Sequence, residues 1–361
     1  MNTRQTQMKA MVLTGLGGLD KLVWHEDWPV PAPGPNEVLI KVGACGLNNT
    51  DVNTRSGWYS KAVSEATTGS AYDAVGQEDS TWGGSSISFP RIQGADAVGR
   101  VVAVGDGGDA GLIGKRVITD GWLRDWADPM NMDKTGYFGS ECDGGFAEYT
   151  KTDIRNMAVI ESHLTDAELA TFSCSYSTAE GMITRANVGA DDTVLIPGAS
   201  GGVGGALVQL CKRRGARVVA LASETKHGDV AALGPDLILP RAPADLRAAL
   251  GGEKITVVAD VVGGDYWPEL INVLERGGRY TCSGAIAGPI VEFDLRTFYL
   301  RDLTFTGSTV IPTHIFGDLV GYIERGEVRP VLAATYPLEQ LRDAQQAFID
   351  KIHTGNIVVT P

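Results

Sequence analysis

The sequence has 361 residues, of which 43% are apolar and 21% charged, and its formal net charge is −13. The composition is that of an ordinary globular protein, and the length favours two domains because single cores stop growing at roughly 250–300 residues. The acidic balance argues against nucleic acid or an anionic membrane as a partner, since both require a basic face. It does not exclude a small basic pocket for a phosphorylated cofactor.

The pattern of apolar segments and the spacing of the cysteines indicate where the protein acts and whether it holds structural zinc. The opening residues, MNTRQTQMKAMVL, contain no apolar stretch of signal-peptide length, and no run approaches the roughly 20 residues of a membrane span. The five cysteines are far apart and include no CxxC pair, which argues against a disulfide framework or a structural zinc cluster. We therefore expect a cytoplasmic protein without structural zinc.

Short strand-like runs separated by Gly and Pro fill the first 150 residues: MKAMVL, EVLIKV, GRVVAV, KRVIT and GGFAEYT. This punctuation predicts a compact β domain. Two segments interrupt it, namely residues 60–88, rich in Ser, Thr, Gly and Ala, and residues 121–139, which carry four aromatic residues. We predict both as long loops, which in a compact domain are functional lids, interface arms or disordered segments.

From about residue 156 the pattern changes to helices alternating with the strand-like runs TVLIPG, ARVVALA, DLILP, KITVVADVV and GGRYTCSG. Such alternation predicts a parallel sheet covered on both faces. The closing NIVVTP is again strand-like and would complete the first domain. The predicted fold is thus α/β with two domains, residues 1–155 completed by 312–361, and residues 156–311.

The stretch ACGLNNTD, residues 44–51, places two amides, a hydroxyl and a carboxylate where a strand gives way to a short helix. Such side chains cap helices by accepting bonds from the first N–H groups, so a helix start is one interpretation. The other is a polar site, in which Asn48 and Asn49 stand where another chemistry would place a metal ligand.

The segment TVLIPGASGGVGGALVQL joins a buried strand to a helix through a glycine-dense turn. Glycines there let the backbone approach a pyrophosphate, and the helix N-terminus supplies N–H donors and the positive end of a dipole. Because strand, turn, helix and next strand are all present, the segment predicts a dinucleotide site. The turn residues are Gly198, Ala199, Ser200, Gly201, Gly202, Val203 and Gly204.

The strand that follows this helix indicates which dinucleotide is bound. An NAD site has an acid at the strand end, which accepts from the ribose 2′-OH, but Ala222 holds that position. Ser223 and Lys226 come next and suit a 2′-phosphate, whereas Glu224 could turn back to the ribose. The pattern favours NADPH over NADH, the alternative for Lys226 being a solvated surface lysine.

These segments together resemble the medium-chain dehydrogenase/reductase superfamily. The resemblance rests on EVLIKVGACGLNNTDVNTRSG, FPRIQGADAVGRVVAVG, DGGFAEYT, CSYSTAEG, GASGGVG and HTGNIVVTP. It implies a GroES-like β domain, a Rossmann cofactor domain and a nicotinamide held between them near Thr178, with Val262 and Gly284 completing the cofactor site. It also implies a homodimer or homotetramer that assembles through the strands near 303–311.

Zinc alcohol dehydrogenases of this family hold a catalytic zinc with a Cys, a His and a Cys beside a glutamate. The corresponding positions are Asn48, Ala95 and Cys174, with Asp96 at the glutamate. Since a catalytic zinc needs three protein ligands, the resemblance implies no catalytic metal and leaves Cys174 as a small buried residue.

The family's zinc-free branches, quinone oxidoreductases and enoyl-thioester reductases, reduce activated alkenes. Asn49 departs from their usual proline and Asn53 from the quinone-reductase tyrosine, while Tyr59 matches the tyrosine of the enoyl-thioester reductases. The resemblance implies hydride transfer from NADPH to a quinone, an enone or an enoyl thioester. The catalytic candidates are Asn48, Tyr59 and Asp51.

Within that mechanism Asn48 and Tyr59 would stabilise the oxyanion that forms on the substrate after hydride transfer. Tyr59 or water would then donate a proton to the reduced substrate. Tyr59 could equally be a loop anchor, and we expect Asp51 to pair with Arg55. Two alternatives stay open. One is an alcohol or carbonyl dehydrogenase with a metal on loop carboxylates, and the other is a cofactor-binding protein without turnover.

Overall fold

The computed structural model describes residues 5–72, 75–76 and 87–361. The chain divides into two compact units. The first comprises Met1–Val63, Thr68–Cys174 and Phe316–Pro361, and the second comprises Ser64–Thr67 and Ser175–Ile315. Among the described residues, no helix combines the length and the apolar character that crossing a membrane requires.

Strands and helices are numbered here in chain order. The strands are β1 (Gln7–Leu13), β2 (Leu22–Pro29), β3 (Glu37–Gly46), β4 (Asp96–Val104), β5 (Arg116–Thr119), β6 (Trp122–Leu123), β7 (Gly136–Tyr137), β8 (Tyr149–Asp153), β9 (Met157–Val159), β10 (Thr193–Pro197), β11 (Arg217–Ala222), β12 (Leu237–Pro240), β13 (Ile255–Asp260), β14 (Leu274–Cys282), β15 (Thr304–Gly307), β16 (Leu332–Pro337) and β17 (Asn356–Thr360). The helices are α1 (Asn49–Ser56), α2 (Asp166–Leu169), α3 (Ser173–Arg185), α4 (Gly202–Arg213), α5 (His227–Ala231), α6 (Leu246–Ala249), α7 (Trp267–Asn272), α8 (Leu295–Tyr299), α9 (His314–Glu324) and α10 (Leu341–Asp350).

The first unit is built on a seven-stranded sheet. Its order is β16-β17-β3-β4-β5-β9, with β8 also paired to β3, and separate pairs form between β1 and β2 and between β6 and β7. The C-terminal strand β17 lies antiparallel to β3, with Val359 opposite Cys45. Apolar side chains alternating along these strands meet those of α10 in one buried cluster. The predicted β character of this part of the chain is confirmed.

The first unit extends beyond the predicted boundary at residue 155. Strand β9 pairs antiparallel with β5, and α2 packs beside β3, where the Asp166 side chain leaves no room for a Cβ on Gly43. These contacts keep the chain in the first unit as far as Cys174, and the unit resumes at Phe316 rather than at 312.

The second unit contains the predicted parallel sheet, in the order β12-β11-β10-β13-β14-β15. All five pairings within it are parallel, and α4 connects β10 to β11. The chain order reverses between β10 and β13, and in open parallel sheets the crevice at such a switch point is where ligands bind. The α/β prediction is confirmed.

The two predicted loops have different outcomes. Residues 121–139 contain β6 and β7, which pair antiparallel with Trp122 opposite Tyr137. Within 60–88, the described residues 60–72, 75–76 and 87–88 contain neither helix nor strand. The rest of that predicted loop lies outside the described residues.

Arg55 is fully buried and holds three distant segments together. Its guanidinium donates to the carbonyls of Gly17 (2.6 Å) and Gly69 (3.1 Å) and to Gln345 Oε1 (2.9 Å), and burial lowers its pKa to about 10. The predicted pairing with Asp51 is wrong, because the Asp51 carboxylate turns back to accept the backbone N–H of Asn48 at the start of α1.

We expect Arg55→Ala to lower the free energy of unfolding by about 3–5 kcal/mol, because the buried carbonyls lose their donor and a cavity opens. Urea unfolding measures the change. Lys134→Ala, at an exposed ion pair of the same unit, is the matched control and should leave the urea midpoint unchanged. A loss below about 1 kcal/mol for Arg55→Ala would show that water replaces the guanidinium there.

Candidate functional site

The segment ACGLNNTD forms the end of β3 and the beginning of α1. Asn48 is the residue that precedes α1, and its backbone N–H donates to Asp51 Oδ2 at 2.8 Å. The other Asp51 oxygen accepts a hydrogen bond from the N–H of Gly94 at 3.2 Å, so both oxygens accept hydrogen bonds from the backbone. The helix-start interpretation is therefore right for Asp51, and the amide nitrogen of Asn48 donates to another partner.

That partner is Asp96, at the start of β4. Asn48 Nδ2 donates to Asp96 Oδ2 at 3.1 Å, and Asp96 Oδ1 accepts the backbone N–H of Cys174 at 2.9 Å. Asn48 is 5% exposed and Asp96 is fully buried. The structure thus brings together three of the positions that were compared with a zinc site, while Ala95 contributes only a buried methyl group.

Two tyrosines border this polar cluster. The Asn53 side chain hydrogen-bonds to the Tyr59 hydroxyl, and Tyr59 lies near Cys174 and Asp51. Tyr137, on β7, is hydrogen-bonded to Cys174 and lies near Asp96. We use the term polar cluster for Asn48, Asp51, Tyr59, Asp96, Tyr137 and Cys174.

Sequence reasoning missed Tyr137 as a site residue. The tyrosine stands in the aromatic loop 121–139, and only the pairing of β6 with β7 directs it to Cys174. Its ring packs edge-on against Trp122 at 5.1 Å, and a Cβ on Gly121 would lie 2.9 Å from that ring, so only glycine fits beside it. The concentration of aromatic residues in a predicted loop was the available signal.

Burial dominates the electrostatics of the polar cluster. It raises the pKa of Asp51 and of Asp96 to about 7, although hydrogen bonds to both carboxylates oppose the shift. Burial also raises the pKa values of Tyr59 and Tyr137, so both hydroxyls stay protonated. At neutral pH the cluster therefore offers amide, hydroxyl and partly protonated carboxyl donors. Among the described residues, no group of three His, Cys, Asp or Glu side chains could hold a metal ion.

The cofactor candidates lie in the second unit, where β10 passes through the predicted turn into α4. Gly198 has φ +67°, and a Cβ on Gly204 would lie 2.1 Å from the Gly198 carbonyl oxygen. Only glycine permits this close packing of helix on turn, and the first N–H groups of α4 lack partners within the helix. Gly201, at the start of α4, is exposed, and Ser200, Gly202 and Val203 are half-buried. Ala199 bonds to the Leu221 carbonyl of β11.

Basic side chains gather where β11 and β12 end. Ser223 and Lys226 are half-buried, and burial lowers the pKa of Lys226, with Arg241 adding to the shift and Asp229 opposing it. Arg241 directly follows Pro240, which pairs with Ala222 in the sheet. Sequence reasoning missed Arg241, although an arginine at the carboxyl end of the neighbouring strand was a visible signal.

The loop after β13 meets the same turn, and the loop after β14 is hydrogen-bonded to that first loop from the Ala287 N–H to the Val262 carbonyl. Val262 packs beside Gly198, where a Cβ on the glycine would lie 2.9 Å from the valine Cγ2. Asp260 accepts the N–H of Val262 at 2.7 Å, and the Gly284 carbonyl accepts from Cys282 Sγ at 3.2 Å. Thr178 is half-buried on α3, and its place near a nicotinamide stays a prediction.

The raised pKa values of the two aspartates predict a pH-dependent stability. In the unfolded chain these groups ionise near 3.8, so between about pH 4 and 7 the folded chain holds protons that the unfolded chain has lost. The free energy of unfolding should therefore fall as pH rises through this window, by up to about 1.4 kcal/mol per unit for each carboxyl.

Asp96→Asn removes one of these carboxyls and should reduce the slope measured by urea unfolding from pH 5 to 8. Asp128→Asn, at an exposed position of the same unit, is the control and should keep the wild-type slope. Equal slopes for wild type and Asp96→Asn would show that Asp96 is ionised throughout.

The chain matches two protein families. The family described as alcohol dehydrogenase GroES-like domain matches residues 34–162, and the family described as zinc-binding dehydrogenase matches residues 202–325. The first match falls mainly on the β-rich first unit, and the second mainly on the second unit from α4 onward.

Individual relatives extend over nearly the whole chain. A solved structure of a provisionally assigned alcohol dehydrogenase from Sinorhizobium meliloti 1021 is 44% identical, with a TM-score of 0.90, and the match covers 100% of this chain and 98% of that one. The acryloyl-coenzyme A reductase of Metallosphaera sedula is 26% identical over 91% of this chain and 94% of that protein. The quinone oxidoreductase of Rattus norvegicus is 27% identical over 98% of this chain and 97% of that protein. The chain belongs to the medium-chain dehydrogenase/reductase superfamily and is an NAD(P)H-dependent oxidoreductase.

Proposed function

We propose that the protein is an NADPH-dependent, zinc-independent reductase that delivers hydride to the β-carbon of an activated alkene, namely a quinone, an enone or an enoyl thioester. The observation that carries the proposal is the bond from Asn48 Nδ2 to Asp96 Oδ2. An amide that donates to a buried carboxyl stands at the position compared with a metal-binding thiolate. The names of the quinone oxidoreductase and acryloyl-coenzyme A reductase relatives support the same substrate class.

The residues of the polar cluster do not fit a catalytic zinc. Zinc needs three protein ligands, usually thiolate, imidazole or carboxylate, and an open fourth position. Ala95 offers no ligand atom, Asn48 points a donor at Asp96, and Asp96 uses both oxygens to accept hydrogen bonds. Of the three positions compared with the zinc ligands, only Cys174 has a typical zinc-binding atom.

A site of this kind suits conjugated acceptors better than isolated carbonyls. Reducing a simple ketone or aldehyde concentrates charge on one oxygen and benefits from a Lewis acid. Conjugate addition of hydride spreads the developing charge through an enolate, whose oxygen neutral hydrogen-bond donors can stabilise. The polar cluster supplies donors of that type.

Asn48 and Tyr59 are the proposed oxyanion donors. The Asn48 amide nitrogen carries two hydrogens, of which Asp96 takes one. Since Asn53 hydrogen-bonds to the Tyr59 hydroxyl, and burial keeps that hydroxyl protonated, its own hydrogen can point to substrate. Tyr59 or water returns the proton to the α-carbon. Asp51 acts as a positioning residue, because its carboxylate fixes the backbone of Asn48.

NADPH, when bound, supplies the hydride. The residues that would hold it are the turn from Gly198 to Gly204 for the pyrophosphate, and Ser223, Lys226 and Arg241 for the 2′-phosphate. Two cationic side chains and one hydroxyl at the carboxyl ends of β11 and β12 match a phosphate dianion better than a ribose hydroxyl. Val262, Gly284 and Thr178 complete the proposed cofactor site.

A second candidate function is an alcohol or carbonyl dehydrogenase. The observation that favours it is the 44% identity to the structure assigned as an alcohol dehydrogenase. Substrate profiling separates the two, since the first predicts alkene reduction and the second predicts alcohol oxidation.

The proposed assembly is a homodimer or homotetramer formed through β15. This strand is an edge of the six-stranded sheet, and the α8 region beside it exposes Ile290 (70%), Leu295 (68%), Tyr299 (61%) and Leu300 (57%). Exposed apolar groups at a free strand edge support contact with another chain.

Asn48→Ala and Tyr59→Phe test the oxyanion assignment. Each should lower kcat for NADPH oxidation with a panel of quinones and enoyl thioesters by roughly 10²–10³-fold, with a smaller effect on KM. Tyr149→Phe, which removes an exposed hydroxyl of the same unit, is the matched control and should retain activity. Full activity in both site variants would exclude the mechanism, and no turnover with NADPH bound would favour a binding protein.

Lys226→Ala and Arg241→Ala test the cofactor assignment. Each should weaken NADPH binding by roughly tenfold and leave NADH binding unchanged, because only NADPH carries the 2′-phosphate. Isothermal titration calorimetry measures both. Lys212→Ala, which breaks a surface pair with Asp236 in the same unit, should change neither affinity. Equal losses for both cofactors would contradict a 2′-phosphate site.

A further inference from the structure

Arg55 is a fully buried cation whose hydrogen-bond acceptors are all neutral. Its Nε donates to Gln345 Oε1 at 2.9 Å, and its Nη1 donates to the carbonyl oxygens of Gly17 at 2.6 Å and Gly69 at 3.1 Å. An arginine stays protonated in proteins, and a buried charge is costly unless an opposite charge lies close to it. These bonds therefore satisfy part of the guanidinium without neutralising it.

The carboxylate whose charge acts on Arg55 is a poor counter-ion. Among the residues that the structure describes, Arg55 forms no ion pair, and the charge that acts on it comes from Asp20. Asp20 is largely exposed and is paired with Lys21 at 3.1 Å. Because water and the lysine screen that carboxylate, it compensates a buried guanidinium only weakly. Burial lowers the pKa of Arg55 to about 10, which still leaves the side chain charged at neutral pH.

Two buried nitrogens at the same place have no acceptor. Arg55 Nη2 and Gln345 Nε2 lack a hydrogen-bond partner among the described residues, and both residues are fully buried. These atoms belong to the guanidinium and the amide that the bond from Nε to Oε1 joins, so both lie next to that contact. Both are donors, and neither can satisfy the other. Buried groups of this kind indicate a bound water or ion that completes their hydrogen bonding.

We propose that a small inorganic anion such as chloride binds between Arg55 Nη2 and Gln345 Nε2 and supplies the missing negative charge. An anion accepts from both nitrogens and needs no acceptor of its own. A water molecule could accept the same bonds, but it would leave the guanidinium without a counter-charge, and its own hydrogens would need acceptors. The neighbourhood is apolar, since Val52 and Ile349 pack against Gly69.

The anion would stabilise the folded first unit. Arg55 lies on α1 and Gln345 on α10, so the two donors come together only in the folded chain. A ligand that binds the folded chain and not the unfolded one raises the stability as its concentration rises. The inference does not depend on the proposed reaction, and it concerns residues outside the polar cluster.

Urea unfolding of the full chain tests the proposal, with sodium chloride replacing sodium gluconate at constant ionic strength so that screening does not change. Each tenfold rise in chloride above its dissociation constant should raise the folding equilibrium constant about tenfold, as expected for one ion per chain. Bromide should act in the same way. Its anomalous scattering in a crystal should place one ion within hydrogen-bond distance of Arg55 Nη2 and Gln345 Nε2.

Gln345→Glu puts a carboxylate beside the guanidinium. Its charge should replace that of the anion, so the dependence on chloride should disappear, while the stability in gluconate should equal or exceed that of the wild type. Gln346→Glu is the matched control, because Gln346 is exposed on the same helix, where it bonds to Asp350. This control adds the same charge and should keep the wild-type dependence on chloride.

Gln345→Leu, which removes one donor, should weaken chloride binding at least roughly tenfold and decides the question if Gln345→Glu does not fold. Equal unfolding of the wild type in chloride and in gluconate would show that water or no ligand fills the place, and would overturn the proposal. Wild-type dependence on chloride in a folded Gln345 variant would overturn it too, as would a bromide ion that contacts neither nitrogen.

Discussion

The hydrogen bonds that Asp96 accepts from the Asn48 amide and from the Cys174 backbone hold the candidate site together. They join three parts of the first unit that are far apart in sequence: the beginning of α1, the beginning of β4 and the beginning of α3. A bound metal could make the same connection with charged ligands. In this protein the Asn48 amide and the Cys174 backbone N–H make the connection by donating to the Asp96 carboxyl. The chemistry that we propose for the site depends on these hydrogen bonds, which take the place of metal ligands.

Among the residues that the structure describes, no cation pairs with this carboxyl, and this affects the whole cluster. Burial without a counter-charge raises the pKa of Asp51 and Asp96, so the site is close to neutral when its acids are protonated. Arg55, a fully buried cation of the same unit, donates instead to the carbonyls of Gly17 and Gly69. Neutral donors can stabilise a developing oxyanion without holding a permanent charge, which suits the reduction of a conjugated acceptor that we propose.

Local patterns in the sequence predicted the parts of the structure that local physics controls. The strand–turn–helix of the predicted dinucleotide site, the parallel sheet and the strand punctuation of the first unit follow from periodicity and glycine placement. Three features depend on contacts between distant segments and were missed or misjudged: Arg55 against Gln345, Tyr137 against Cys174, and Arg241 beside Lys226. The limit of the first compact unit lies beyond residue 155 for a similar reason, because the pairing of β9 with β5 is set by the sheet and not by composition.

The central claim is that this protein stabilises a transient oxyanion with amides and hydroxyls in place of a metal ion. The most direct test is the metal content of protein prepared with zinc in excess and dialysed, measured by mass spectrometry on the same sample that is assayed for alkene reduction. The account predicts full activity with far less than one transition-metal ion per chain. One zinc per chain, together with activity that chelation removes and zinc restores, would contradict it.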